Sequence, residues 1–449
     1  MYTDSLTVGG IVEAVGGKGN AVYLHGGETS IGGGLFASGG SNIFQSLAYY
    51  DNEVNLTVNG NVISESGGSN GFNVGSPNSS ITITGDMITT GGSNAINTSD
   101  APGSGPISIH GRVDSIGGKT TMHLRYADNS QGELEILGGV YASDKGANTI
   151  QIYSENSSVT TGSFVASDGG SNQMILFGSG DVTIEGSIVA SERGVNLIRS
   201  NGGGTVIIRE GMESHEDGWN QLSMGGESEI YLYGNYTGWN EIFTSAENDY
   251  VYLDGHVGEY GLFLHADAGY DTLTLKAESA LDMADRYQDW LESYSGSSTD
   301  LNSFGVESIK LDLTGSHNNL ESLVWLGDIV SDHNSGTGNF MQLELKVDTF
   351  GRTMSLGDFF SSGTDDIFTA LDLGGTNANT LQVDGAFADN DIDEYSFAVH
   401  GDSSDTVQLS NDWFFIGDSA SAEGPDYSYY TTGLDLLMIQ SEIHVIMGA

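Results

Sequence analysis

No cysteine occurs anywhere in the sequence. Disulfides, thiol nucleophiles and thiolate zinc sites are therefore excluded. The absence suits an extracellular bacterial surface protein at least as well as a cytosolic one. Proline is nearly missing too, with 4 residues against 66 glycines. That ratio points to many tight turns between strands and excludes collagen, which needs a strict Gly-X-Y period with abundant proline. Basic side chains are scarce: 13 Lys and Arg face 61 Asp and Glu, a formal net charge of −48. Such a field repels nucleic acid, anionic lipid and acidic polysaccharide and attracts cations. No run of about 18 apolar residues is present, so no membrane insertion by a helix is expected. The opening "MYTDSLTVGG" has neither a basic nor an apolar signal region and does not read as a Sec signal.

What the chain does contain is a repeated phrase. Gly-Gly-x-Asn or a variant recurs as "SGGSNIF" (38–44), "SGGSNGF" (66–72), "TGGSNAI" (90–96), "SDGGSNQM" (167–174), "SERGVNLI" (191–198), "EDGWNQL" (216–222) and "YTGWNEI" (236–242). Weaker copies are "GGKGNAV" (16–22), "GGKTTM" (117–122) and "DKGANTI" (144–150). Spacing is mostly 23 to 28 residues and holds at 24 from 145 to 217. Each asparagine opens a short alternating segment, and a Gly/Ser/Asn turn follows. Next comes a "VTI-G" segment such as "LTVNG" (56–60), "ITITG" (81–85) or "VTIEG" (182–186), then a third segment such as "SIVAS" (187–191). Val, Ile and Thr alternate with polar residues over four or five positions, which is a strand pattern with no 3.6-residue period.

Three short strands per 24 residues make one coil of a solenoid. A single coil cannot bury its apolar side, so coils stack and share a continuous core. The expected fold class is all-β, a right-handed parallel β-helix over residues 1–260. Within the unit at 167–191, Gly169 and Gly170 are expected to turn the chain. Met174, Val182, Ile184 and Val189 are expected in the core. Asn42, Asn70, Asn94, Asn148, Asn172, Asn196, Asn220 and Asn240 fall at one corner, where inward amides can bond turn backbone and one another. This ladder reads as structural.

From about residue 244 the phrase fades. "SALDMADRYQDWLESYS" places Leu281, Ala284, Tyr287, Leu291 and Tyr294 three or four apart, which predicts an amphipathic helix over about 279–294 with Ser279 as its cap. Strand patterns then return, as in "VESIKLDLTG" (306–315), "MQLELKV" (341–347), "NTLQVDG" (379–385), "DTVQLS" (405–410) and "EIHVIM" (442–447). A second, β-rich module is expected over 261–449. "ADAGYDTLTLKAESALDMAD" (266–285), "GVESIKLDLTGSHNNLESLVW" (305–325), "LGGTNANTLQVDG" (373–385), "GDSSDTVQLSNDW" (401–413) and the apolar tail "GLDLLMIQSEIHVIMGA" (433–449) together resemble the C-terminal region of large RTX-type adhesins exported by type I secretion. The resemblance covers about residues 260–449. It implies export through a C-terminal signal and an extracellular, cell-surface or matrix role. Open β-helix ends are unpaired edges that invite stacking unless capped, so contact with copies of the chain is expected, with surface glycans or other matrix proteins as further partners.

The calcium-binding nonapeptide of RTX repeats is nowhere intact in tandem. "DAGYDTL" and "GDSSDTV" are degenerate halves. Asp267, Asp271, Asp402 and Asp405 are the candidate Ca²⁺ ligands, because carboxylate and turn carbonyl oxygens suit that ion. Solvated turn aspartates are the competing reading. Trp219 and Trp239 occupy the same repeat position in successive coils and are a candidate contact strip if they face outward, or core filling if they face inward. No catalytic constellation is legible. The ten histidines contain no HExxH, and "GGSNG" (67–71) lies in a β repeat where a nucleophile elbow would need a strand-to-helix turn. The expected function is that of a non-catalytic, self-associating adhesin-like or biofilm-matrix protein, with Ca²⁺ screening its charge. The alternative is a β-helical polysaccharide lyase or glycoside hydrolase.

Overall fold

The fold was read from a computed structural model. It describes residues 2–276 apart from 4, 47–52, 76–78, 99–104, 127–130, 258–260 and 267–268. Beyond these it describes 306–312, 342–347, 353–356, 370–373, 378–384, 396–419, 426–433 and 435–448. The helix expected at 279–294 lies outside the described residues, and so does Asp267. Every element described is a strand. The chain divides into two compact units, Met1–Asp249 with Gly255–Gly269, and Tyr250–Asp254 with Tyr270–Ala449.

The first unit is a parallel β-solenoid with three strands per coil. Its first face carries twelve strands, from Tyr2–Thr3 to Phe263–His265. One coil shows the pattern. Ser171–Leu176 pairs with Ala147–Tyr153 of the coil before and Val195–Ser200 of the coil after. Ser179–Ile184 pairs with Asn156–Thr161, and Ile188–Ala190 pairs with Phe164–Ala166. All these pairings are parallel, and register keeps like over like. Asn148, Asn172 and Asn196 align, as do Ile150, Met174 and Ile198. Side chains alternate in and out because the strand period is two. Met174, Val182 and Ile184 are buried as expected. Val189 is not: it is half-buried, while Ile188 and Ala190 on either side of it point inward. In a three-residue apolar strand the sequence alone leaves the phase open, and the preceding turn decides it.

The corner before each asparagine is a two-residue turn. In "SDGG", Asp168 and Gly169 both take left-handed backbone, with φ of 50° and 70°. The Gly170 N–H donates to the Ser167 carbonyl at 2.7 Å and closes the turn. This is the type I′ geometry. The chain therefore turns on Asp168–Gly169 rather than on Gly169–Gly170. Gly170 serves a different purpose: a Cβ there would lie 2.4 Å from the Ala142 carbonyl oxygen of the coil before. Gly68, Gly194 and Gly218 meet Ala37, Ala166 and Ala190 in the same way. The second glycine of the phrase is needed because two backbones touch.

The second unit keeps parallel pairing but loosens the period. Asp271–Lys276, Val306–Asp312, Gln342–Val347, Ala370–Leu373, Ser396–His400 and Leu436–Gln440 pair in that order, all parallel. Thr353–Ser355, Thr380–Val383, Thr406–Leu409 and His444–Met447 form a separate four-stranded parallel sheet. Among the described residues of this unit, Phe414–Ser419 pairs antiparallel with Tyr427–Thr431, and the latter with Leu436–Gln440.

Candidate functional site

The asparagine corner of the first unit is a hydrogen-bonded ladder in two runs, Asn20 to Asn94 and Asn148 to Asn240. Asn42 Nδ2 donates to Asn70 Oδ1 at 2.9 Å and Asn70 to Asn94 at 3.0 Å. Asn148 donates to Asn172, Asn172 to Asn196, Asn196 to Asn220 and Asn220 to Asn240, at 2.7 to 2.9 Å. The second N–H of each amide is committed to backbone. Asn172 Nδ2 also donates to the Val165 carbonyl at 2.7 Å, and Asn196 to that of Val189 at 2.7 Å. These carbonyls orient every amide, so each Oδ1 faces the rung before and each Nδ2 the rung after. Two members lie outside the expected set. Asn20 extends the ladder backwards to Asn42 at 2.8 Å. Thr120 occupies the asparagine position between Asn94 and Asn148. There Ser115, from a neighbouring strand, receives Thr89 at 3.0 Å and donates to Asn148 Oδ1 at 2.7 Å, with Thr120 a further acceptor. The ladder is buried throughout from Asn42 to Asn240.

The tryptophan strip faces outward. Trp239 is 53% exposed, Trp219 is half-buried, and neither fills the core, whereas Tyr236 between them is fully buried. Both indoles converge on one carboxylate. Trp219 Nε1 donates to Glu241 Oε2 at 3.1 Å and Trp239 Nε1 to Glu241 Oε1 at 2.8 Å. Trp239 also meets the Phe263 ring at 5.1 Å between centroids. An open cleft of about 520 Å³ lies here, bounded by the tryptophans, Glu241 and the turn residues His215, Glu216 and Asp217. A second outward stack, which the sequence reading did not single out, places Arg125 4.9 Å over Tyr153, whose ring lies 4.1 Å from Phe177.

Two of the candidate Ca²⁺ aspartates, Asp402 and Asp405, are engaged with the protein. Asp405 is buried, and its Oδ1 accepts the Asn379 N–H at 2.9 Å and the Asn379 amide at 3.0 Å. Its Oδ2 accepts the Asp402 N–H at 2.9 Å. Asp402 is exposed and accepts both the Ser404 N–H and hydroxyl, which hold its carboxyl below the ordinary value. Asp271 is buried at the head of its strand. Among the described residues, no group of three or more His, Asp or Glu is placed to hold a metal.

The second unit contains a polar constellation that sequence reasoning missed. Glu344 is buried on the strand between Lys310 and Ala370. Lys310 Nζ reaches its carboxylate at 2.7 Å, and His400 Nδ1 reaches the other oxygen at 2.9 Å. The Tyr427 hydroxyl sits 2.8 Å from His400 Nε2. Burial alone raises the Glu344 carboxyl, but the bonds and charges of His400 and Lys310 together outweigh it and hold it at about 2. His400 thus bridges Glu344 and Tyr427, and the direction of its bond to the phenol follows the state of the ring: a charged imidazole donates from Nε2, and a neutral one with Nδ1–H on the carboxylate accepts there. Burial, followed by the Glu344 charge, pushes the Tyr427 phenol above its ordinary value. Lys346 and Asp372, 3.5 Å apart, join the same open cleft of about 450 Å³. The scattered positions explain why no motif announced it: Glu344 and His400 are 56 residues apart. The one signal available was the scarce lysines, three of which, Lys276, Lys310 and Lys346, fall on adjacent paired strands.

Compared with known proteins, the sequence matches no family model, no curated protein and no solved structure.

Proposed function

We propose that the chain is a secreted, non-catalytic structural protein of the adhesin or biofilm-matrix kind, exported through its C-terminal region and associating with copies of itself. The observation that carries the reading is the strand Phe414–Ser419. Among the described residues it has a sheet partner on one side only, Tyr427–Thr431. Phe414, Phe415 and Ile416 on it are 62%, 53% and 57% exposed. The bulge between Phe415 and Gly417 bends this edge but leaves the three apolar side chains outward, and an exposed apolar edge is a template for another chain. The net charge of −48 opposes association, so Ca²⁺ is the screening ion in this reading. The test is light scattering after size exclusion, with negative-stain imaging, with and without Ca²⁺. Oligomers or fibres that Phe415→Asp dissolves are expected; monomers under every condition overturn the reading.

The Glu344–His400–Tyr427 relay beside Lys310 favours a second reading, a polysaccharide lyase or glycoside hydrolase. A phenol pushed above its ordinary value keeps its proton at neutral pH, which places Tyr427 as a general acid at an open cleft. Turnover of a uronan or a neutral glycan that Tyr427→Phe abolishes supports it. No turnover across a panel of both classes removes it.

A further inference from the structure

We infer that the cleft between Trp219 and Trp239 is a binding site for a pyranose ring of a neutral or amino-bearing glycan. The inference rests on the surface-contact reading above and names the chemistry of one contact. This place differs from every other rung. The position before the ladder asparagine is small in most coils, as in Ser41, Ser69, Ser93 and Ser171, and becomes tryptophan only in two successive ones. The position after the asparagine is Gln173, Leu197 and Gln221 in the preceding coils and turns acidic only at Glu241. Three departures from the repeat meet at one point.

Each oxygen of Glu241 holds one indole N–H, at 3.1 and 2.8 Å. The carboxylate therefore fixes both rings before any ligand arrives, which lowers the entropic cost of binding. Exposed tryptophan adds nothing to the core, because Trp239 is 53% exposed. Phe263 supports the indole at 5.1 Å, and its exposed surface can meet the C–H face of a sugar ring, an apolar surface of matching size. Glu216 and Asp217 occupy the left-handed turn, with φ of 51° and 63°, and border the cleft with Glu241 and His215. Ionised carboxylates only accept hydrogen bonds. The ligand must therefore bring donors, as hydroxyl and ammonium groups do. A uronate would bring like charge to three acids and is disfavoured. The cleft volume of about 520 Å³ is within the usual range for small-molecule sites.

The test uses the full chain and tryptophan fluorescence with calorimetry, titrating cellotetraose, chitosan tetramer and oligogalacturonate. Saturable binding of either of the first two, and not of the third, is expected. Trp239→Ala should weaken it about tenfold or more, and Trp239→Phe, which keeps an aromatic face, should retain part of the binding. Glu241→Gln should weaken binding less, because an amide oxygen can anchor one indole only. Absence of binding to all three probes overturns the inference, and so does binding that Trp239→Ala leaves intact. Repeating the titration on Phe415→Asp separates the two readings: sugar binding that survives loss of assembly belongs to this cleft, and assembly that survives Trp239→Ala belongs to the edge strand.

Discussion

The two units stitch parallel strands together by opposite means. In the first, coils are joined at one corner by neutral amides, and its ion pairs are peripheral: Arg112–Asp114 at 3.3 Å and Arg209–Glu185 at 2.8 Å involve half-exposed arginines and contribute little. In the second, Lys276–Asp312, Lys310–Glu344 and Lys346–Asp372 link successive strands at 3.1, 2.7 and 3.5 Å. The difference lies in self-complementarity. An amide carries both donor and acceptor, so asparagine stacks on asparagine without limit. A charge cannot stack on itself, so a charged column must alternate lysine with acid. A neutral ladder leaves a repeat in the sequence; a charged one erases it. That is a physical reason for the phrase fading near residue 244 while parallel pairing continues beyond it.

The sharpest way to break this comparison is to put a charge in the neutral ladder. Asn172→Asp removes the donors to Val165, Val140 and Asn196 and buries an ion among acceptors. A loss of about 4 kcal/mol in urea unfolding of the first unit is expected, shrinking in acid, where the protonated carboxyl regains one donor. Next is Gly170→Ala, whose Cβ would press on the Ala142 carbonyl and should cost about 3 kcal/mol; an unchanged midpoint would show that coil contact is looser than described. Neutralising the charged column comes third. Because the Glu344 carboxyl is held at about 2 against an ordinary 4.5, its contribution is complete above pH 4.5 and is lost as pH falls toward 2. Over that window it amounts to about 3 kcal/mol at most. Glu344→Gln should flatten this acid limb in pH-dependent unfolding and leave the first unit untouched. The smallest effect is expected at the exposed turn acids. Glu192 is raised by its hydrogen bond and charge contact with Asp168, then by Glu216. The stabilisation of its protonated form is present below the ordinary value and lost as pH rises through the raised one. Glu192→Gln should therefore raise the thermal midpoint slightly at neutral pH, and added salt should shrink the gain.

Legibility followed period. Asn148, Asn172, Asn196 and Asn220 stood out at 24-residue intervals, and all four are ladder members bonded as rungs. Thr120 hid the ladder's continuation because its replacement hydroxyl, Ser115, comes from a different strand. Asp168 does not announce itself as a turn residue, because glycine is the usual occupant of left-handed backbone, yet its φ is 50° and short polar side chains tolerate that region. The relay of Glu344, His400 and Tyr427 carried no spacing to recognise, since three strands far apart in the sequence bring it together.

The sequence by itself determined the coil length, the strand type and the inward asparagine, because each depends on neighbours one or two residues away or one period away. The tertiary structure alone decided which turn residue bends, which glycine touches backbone, which way the tryptophans face and which acid meets His400. Those outcomes depend on what lies across a coil at 2 to 3 Å, and a linear pattern records spacing along the chain but not the atoms that stacking brings opposite it.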